Sequence, residues 1–150
     1  MAPAADPVAE LAQLAQRIQA AHERRARELG ISPTLARLLH ELRNRTPMIN
    51  ELAGLLGLDK SSTSGLVDRA QRRGYVRRVP SQIDRRSVRV RLTDAGRALT
   101  EVVAAQFSED VHALLEPLPA GDREQLTRLL SDVVVAHAQR HGVDLFATPA

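Results

Sequence analysis

The apolar pattern of this chain changes period once, and that change limits what it can fold into. Along residues 8–74 the apolar side chains recur at helical spacing. Over residues 75–93 they alternate. Val88, Val90 and Leu92 are interleaved with Ser87, Arg89, Arg91 and Thr93, the signature of a half-buried strand with its polar face in water. The stretch "YVRRV" (75–79) can pair with it, and "PSQIDR" between the two supplies the proline and polar residues of a hairpin tip. Helical spacing then resumes. The pattern predicts a mainly α chain with one small β-hairpin.

The helices can be placed from their caps and stripes. Val8, Leu11, Leu14, Ala15, Ile18 and Ala21 predict a first helix over residues 8–29, stopped at Gly30, while residues 1–7 read as a frayed terminus. Ser32 followed by Pro33 starts a second helix, which carries Leu35, Leu38, Leu39 and Leu42 on one face and ends before Pro47. "MINELAGLLG" (48–57) is a short third helix closed by a Gly57-Leu58 turn. Asp59 caps the next, which buries Leu66, Val67 and Ala70 and stops at Gly74. Thr93 and Asp94 open a long helix running towards Leu115. Leu126, Leu129, Leu130, Val133 and Val134 mark a last one reaching about His141, with residues 142–150 as a tail.

Composition narrows the function classes. At 150 residues the chain is most simply one domain, and with 43% hydrophobic but only 2% aromatic residues its core must be aliphatic, which suits helices better than a β-sandwich. The absence of cysteine excludes disulfides, thiolate metal sites, cysteine nucleophiles and thiol redox sensing. No apolar run approaches the roughly 20 residues that span a bilayer, and nothing near Met1 resembles a signal sequence. A cytoplasmic protein without membrane association or cofactor is the expectation.

Charge is segregated. Residues 69–100 hold ten arginines against two acids, although the whole chain is only +3. One surface facing a polyanion accounts for this; a solvated arginine-rich surface is the plainer alternative. Two short helices joined by a glycine turn and followed by a hairpin describe a winged helix-turn-helix. The fourth helix opens with Lys60, Ser61, Ser62, Thr63 and Ser64. Serine and threonine are mediocre helix formers. In a DNA major groove their hydroxyls can meet base edges and phosphates, and Thr63 can pack on a thymine methyl. A generous N-cap region is the plainer reading. Arg69 and Arg72 extend the basic face of that helix. Arg85 and Arg86 sit at the hairpin tip, and Arg89 and Arg91 lie on one strand face, suited to a narrow minor groove. With twenty arginines and one lysine in the chain, coding bias explains part of the preference for arginine. Asp84 either orients Arg86 through a paired hydrogen bond or simply forms the turn.

These residues resemble the multiple-antibiotic-resistance regulator (MarR) family over about 50 residues. The resemblance rests on the wing signature Asp84, Arg85, Arg86, on Gly74, Val76, Arg78 at the entry to the wing, and on Leu92, Thr93, Gly96 at the start of the next helix. It implies a homodimer whose first and last helices intertwine, so that residues 8–29 and 97–141 dimerise and residues 33–96 form the DNA-binding module of a single domain spanning 1–150. It further implies a transcription regulator, usually a repressor at a pseudo-palindromic operator, released by a small phenolic or anionic ligand. Two positions depart from the family pattern. Gly65 stands where a larger side chain is frequent, and Ala70 where leucine is usual.

Dimerisation also has a basis in the stripes themselves. Those on residues 8–29 and 120–141 lie outside the winged module, and within a monomer they could cover only each other.

An enzyme is the first rival reading. His137 and His141 are four apart and would share a helix face, but no third metal ligand is evident, and histidines near a helix C-terminus favour the negative end of its dipole. No nucleophile motif or phosphate loop appears, so neither catalytic nor metal residues are assigned. The second rival is an architectural DNA-binding protein that senses nothing. A sensing cleft, if present, is expected between the first helix and the winged module, with Arg17, His22, Arg37 and His40 as the polar groups available to an anionic ligand.

Overall fold

The computed structural model of the chain describes residues 6–81 and 88–141. Six helices and one hairpin follow in the order α1 (Pro7–Glu28), α2 (Pro33–Glu41), α3 (Ile49–Leu56), α4 (Lys60–Arg72), β1 (Val76–Pro80), β2 (Val88–Leu92), α5 (Asp94–Leu115) and α6 (Ala120–His141). The tip of the hairpin, with Asp84, Arg85 and Arg86, lies outside the described residues.

Side-chain caps set most helix starts. The Ser32 hydroxyl accepts from the Leu35 N–H at 3.1 Å, the Asp59 carboxylate from the Ser62 N–H at 2.8 Å, and the Thr93 hydroxyl from the Gly96 N–H at 3.1 Å. The Met48 N–H donates to the Glu51 carboxylate at 2.7 Å, bracing the entry to α3. One boundary differs from expectation. The Asp6 carboxylate accepts from the Val8 N–H at 3.1 Å and Pro7 takes the first helical position, so the end of the supposedly frayed terminus is itself a cap. Gly57 (φ 65°) and Gly74 (φ 76°) close α3 and α4 in the left-handed region, which side chains with a Cβ avoid.

The core is aliphatic. Leu38, Leu39, Leu52, Val67, Val76 and Val90 are fully buried, drawing one residue or more from α2, α3, α4 and both strands. The strands run antiparallel, with Val76 opposite Leu92, Arg77 opposite Arg91 and Arg78 opposite Val90. A third piece of extended chain joins them: Met48 bridges Arg89, and the Val90 N–H donates to the Pro47 carbonyl at 2.9 Å. Two residues of pairing leave no alternating pattern to read in a sequence.

Helix α5 packs on α1 and α2. Arg25 grips Asp110 through two hydrogen bonds of 2.8 Å, and Arg24 adds a third at 3.0 Å. The Arg25 contact holds the Asp110 carboxyl below the usual carboxylate range, and Asp110 raises the Arg25 guanidinium in turn. Helix α6, by contrast, is nearly detached within a single chain. Leu129, Val133 and Val134 remain 56%, 62% and 50% exposed, as do Val8 (74%) and Leu11 (53%) on α1. The two stripes do not cover each other.

Candidate nucleic-acid interface and cavity

The register of α4 decides which of its leading residues are available to a partner. Residues 63, 66, 67 and 70 form one buried stripe at the i, i+3, i+4, i+7 spacing of a packed helix. Thr63 is therefore 0% exposed, and its hydroxyl donates to the Asp59 carbonyl at 2.9 Å. The expected contact between Thr63 and a thymine methyl is overturned, because that methyl lies in the core. Lys60, Ser61 and Ser62 are exposed and Ser64 is half-buried. The Ser62 hydroxyl donates to Asp59 at 2.6 Å, which holds the Asp59 carboxyl below its ordinary range. Ser61, Lys60, Arg69 and Arg72 make no hydrogen bond or ion pair by their side chains among the described residues.

That last property separates two sets of basic residues. Arg73 donates to the Gly30 carbonyl at 3.1 Å and stacks over the Tyr75 ring, 5.2 Å from its centroid. Arg78 pairs with Asp68 at 2.8 Å and bonds Gln71 at 2.9 Å, which ties β1 alongside α4. Arg89, expected as a groove contact, donates to the Thr46 carbonyl at 2.9 Å, and lies 3.4 Å from the Ser81 hydroxyl and 3.9 Å from the Glu51 carboxylate. It braces the base of the hairpin against the segment before α3, and that position corrects the expectation of a free wing arginine. Arg77 and Arg91 stand directly opposite each other across the strands, both exposed and both unpaired among the described residues. Like charges so placed repel. Sequence reasoning passed over Arg77, although its opposition to Arg91 follows once the hairpin register is known.

A cavity of about 620 Å³ lies between α1, α2 and α5, within the size range of small-molecule sites. Its apolar wall includes Ile18, Leu39, Val103, Phe107, Val111 and Leu115, and its polar groups include His22, Arg37, His40, Arg43, Ser108 and His112, with Glu41 as the one acid. Of the four residues expected at a sensing cleft, His22, Arg37 and His40 line it and Arg17 does not. The α5 contribution went unread, because the sequence does not show which face of a long helix meets α1 and α2.

Two contacts order this site. His22 meets Phe107 edge to face, ring centroids 5.6 Å apart. Burial lowers the His22 pKa from its ordinary value, and the nearby His40 and Arg37 lower it further. Arg37, on the cavity wall, also donates to the Leu56 carbonyl at 3.2 Å. That carbonyl is at the C-terminal end of α3, where helix carbonyls lack intrahelical donors. No group of three or more His, Asp or Glu among the described residues is placed to hold a metal ion.

A short helix, a glycine turn, a second helix with an open basic face and an adjoining hairpin define a winged helix-turn-helix protein. The family model described as "MarR family" matches residues 29–87. The HTH-type transcriptional regulator PecS of Dickeya dadantii (strain 3937) is 32% identical over 84 residues, covering 56% of this chain and 51% of PecS. The chain spans about half the length of the curated relatives it matches. Among solved structures, wild-type MarR from E. coli in its apo form superposes with a TM-score of 0.75 at 25% identity, covering 87% of this chain and 97% of that one. A mutant of S. aureus MepR bound to an oligodeoxyribonucleotide gives a TM-score of 0.62 at 18% identity, covering 89% and 99%. Residues 29–87 thus match the MarR family, and the whole fold is similar to that of MarR. No helix among the described residues is long and apolar enough to cross a membrane.

Proposed function

We propose that the protein is a cytoplasmic, homodimeric repressor that binds a pseudo-palindromic duplex site in a sequence-specific way and releases it when a small anion with an apolar body occupies the α1–α2–α5 cavity. The observation that carries the DNA reading is the open face of α4. Lys60, Arg69 and Arg72 are exposed and unpaired among the described residues, and the N-terminal N–H groups of the helix favour phosphate. Ser61, Ser62 and Ser64 stand at the same end. Arg85 and Arg86, the latter with Asp84 as its orienting partner, are assigned the neighbouring minor groove on the strength of their sequence positions.

A second copy of the chain is the partner that suits the uncovered stripes on α1 and α6, since a two-fold dimer presents two winged modules to two half-sites. The excess of cationic and histidine groups over the single acid supports an anionic effector, held by His22, Arg37 and His40. A walled cavity favours this ligand-controlled form over an architectural protein that senses nothing.

Three measurements test the reading. Sedimentation should give a dimer. Affinity for duplex DNA should fall steeply with salt, as for roughly 6–10 phosphate contacts per dimer; a flat response would reject the DNA reading. Adding benzoate, a simple aromatic anion, or related aromatic acids should weaken DNA binding. If no member of such a series fits the cavity or affects binding, the effector half of the proposal fails.

A further inference from the structure

Gly65 sits in the middle of α4, half-exposed, and nothing in the fold requires a glycine there. Its φ is not positive, and a Cβ built on it would meet a single side-chain atom, Nη1 of Arg69, at 3.5 Å. Gly96 is the opposite case, since its Cβ would collide with the backbone of Tyr75. A glycine inside a helix costs about 1 kcal/mol relative to alanine. Position 65 therefore carries a local penalty that packing does not explain.

The one neighbour supplies a reason. Side chains on a helix lean towards its N-terminus and lie over the residue four positions earlier. Arg69 does so, and its guanidinium lies beside backbone that no side chain covers. It has no hydrogen bond or ion pair among the described residues. One turn further towards the N-terminus stand the exposed Ser61 and Ser62. The result is a flat five-donor group laid close to the middle of α4, one turn from its exposed leading residues.

We infer that Gly65 is a specificity-determining position: it is a slot that lays the Arg69 guanidinium against α4, so that Arg69 reads a guanine through N7 and O6 in the major groove. This rests on the DNA reading above. Guanidinium has donors only, and guanine alone offers two adjacent acceptors on its major-groove edge, whereas adenine pairs an acceptor with a donor. A larger residue at position 65 would occupy the slot and lift the guanidinium away from the helix.

The test is selection from a pool of duplexes with a randomised core, followed by affinities for the selected site and for the same site with its recognised guanine replaced. Arg69→Ala should lose about tenfold to a hundredfold of the discrimination at that one position, with little change elsewhere. Gly65→Leu should show the same loss at the same position, and the double variant should be no worse than either single one. Gly65→Ala, whose Cβ lies at ordinary contact distance, should keep the preference while melting at a higher temperature. Leucine is a good helix former, and thermal melts check that each variant is folded; Arg69→Ala, at an exposed position, carries the test alone if Gly65→Leu is not. Retained guanine preference in Arg69→Ala overturns the inference. So does an additive loss in the double variant, which would mean that leucine blocks the groove directly, and so does loss of preference in Gly65→Ala. A wild-type protein that selects no sequence overturns the DNA reading itself and this inference with it.

Discussion

Arg37 on α2 donates to the carbonyl of Leu56 at 3.2 Å while its side chain lines the α1–α2–α5 cavity. One guanidinium thus touches both the proposed effector site and the last residue of α3. Beyond Leu56 come only Gly57 and Leu58 before Asp59, the cap of α4. An anion in the cavity competes with the Leu56 carbonyl for the same donors. In the proposed function, moving Arg37 towards the anion would free the elbow between α3 and α4 and so the orientation of α4, the helix assigned to DNA. Conversely, the proposed coupling is reciprocal, so DNA that holds α4 in place disfavours the anion.

Arg37→Ala should therefore mimic the ligand-bound state. A hydrogen bond of this kind contributes about 1 kcal/mol, so ligand-free DNA affinity should drop by roughly fivefold, and aromatic acids should have little further effect. Gel shifts with and without benzoate measure both. Full ligand response in Arg37→Ala would remove Arg37 from the coupling.

His22 makes the same site sensitive to pH. Burial, followed by the positive fields of His40 and Arg37, lowers its pKa from 6.5. The unfolded chain then binds the proton more readily than the folded one, so stability rises with pH across this window. Above the unfolded value of 6.5 both states are neutral and nothing is lost; as pH falls below it, the folded state weakens. His22→Phe should flatten this part of the melting-temperature profile between acidic and neutral buffers. An anion in the cavity offsets the unfavourable charges, so benzoate should bind more tightly at lower pH in wild type than in the variant. A benzoate affinity that rises equally in both on acidification would assign the effect to the ligand or to other groups.

How much of this was legible in the chain follows from the range of each interaction. Caps at Ser32, Asp59 and Thr93 are local, and each stands where the sequence places it. Thr63 was legible in principle: the stripe Leu66, Val67, Ala70 extends back to it at the same spacing, but its hydroxyl suggested a groove contact. Arg89 was not, because its acceptor, the Thr46 carbonyl, is forty-three positions away. The cavity was half legible for a related reason. His22, Arg37 and His40 share the small α1–α2 neighbourhood, whereas Phe107, Ser108 and His112 enter only through the packing of α5, which the Arg25–Asp110 contact helps to set.

Gly96 shows a local motif with a non-local cause. It stands three residues after the cap Thr93, and a Cβ there would run into the Tyr75 carbonyl. Tyr75 also receives the Thr93 N–H at 3.0 Å, so the backbone of the two segments is fixed in place. Gly96→Ala cannot be absorbed by rotating a side chain. It should destabilise the fold by about 1–3 kcal/mol, the usual range for overpacking, despite alanine being the better helix former. Chemical denaturation checks this, and a gain in stability would mean that β1 and α5 can separate without loss.

Arg77 and Arg91 provide the converse case, a pair whose removal should help. They face each other across the hairpin without a counter-charge among the described residues. Opposed like charges on neighbouring strands are destabilising, where a favourable cross-strand pair contributes about 0.2–1 kcal/mol, and β-branched residues suit such positions better. Arg77→Thr should therefore raise the melting temperature. The gain should shrink as salt is added, because exposed charges are screened beyond about 10 Å at moderate ionic strength and more closely at higher. The same variant should bind duplex DNA more weakly with a shallower salt dependence if this face meets phosphate, and unchanged DNA binding would limit the wing's contribution to its tip. A melting temperature that stays the same at low salt would show that the two guanidinium groups avoid each other by turning into solvent.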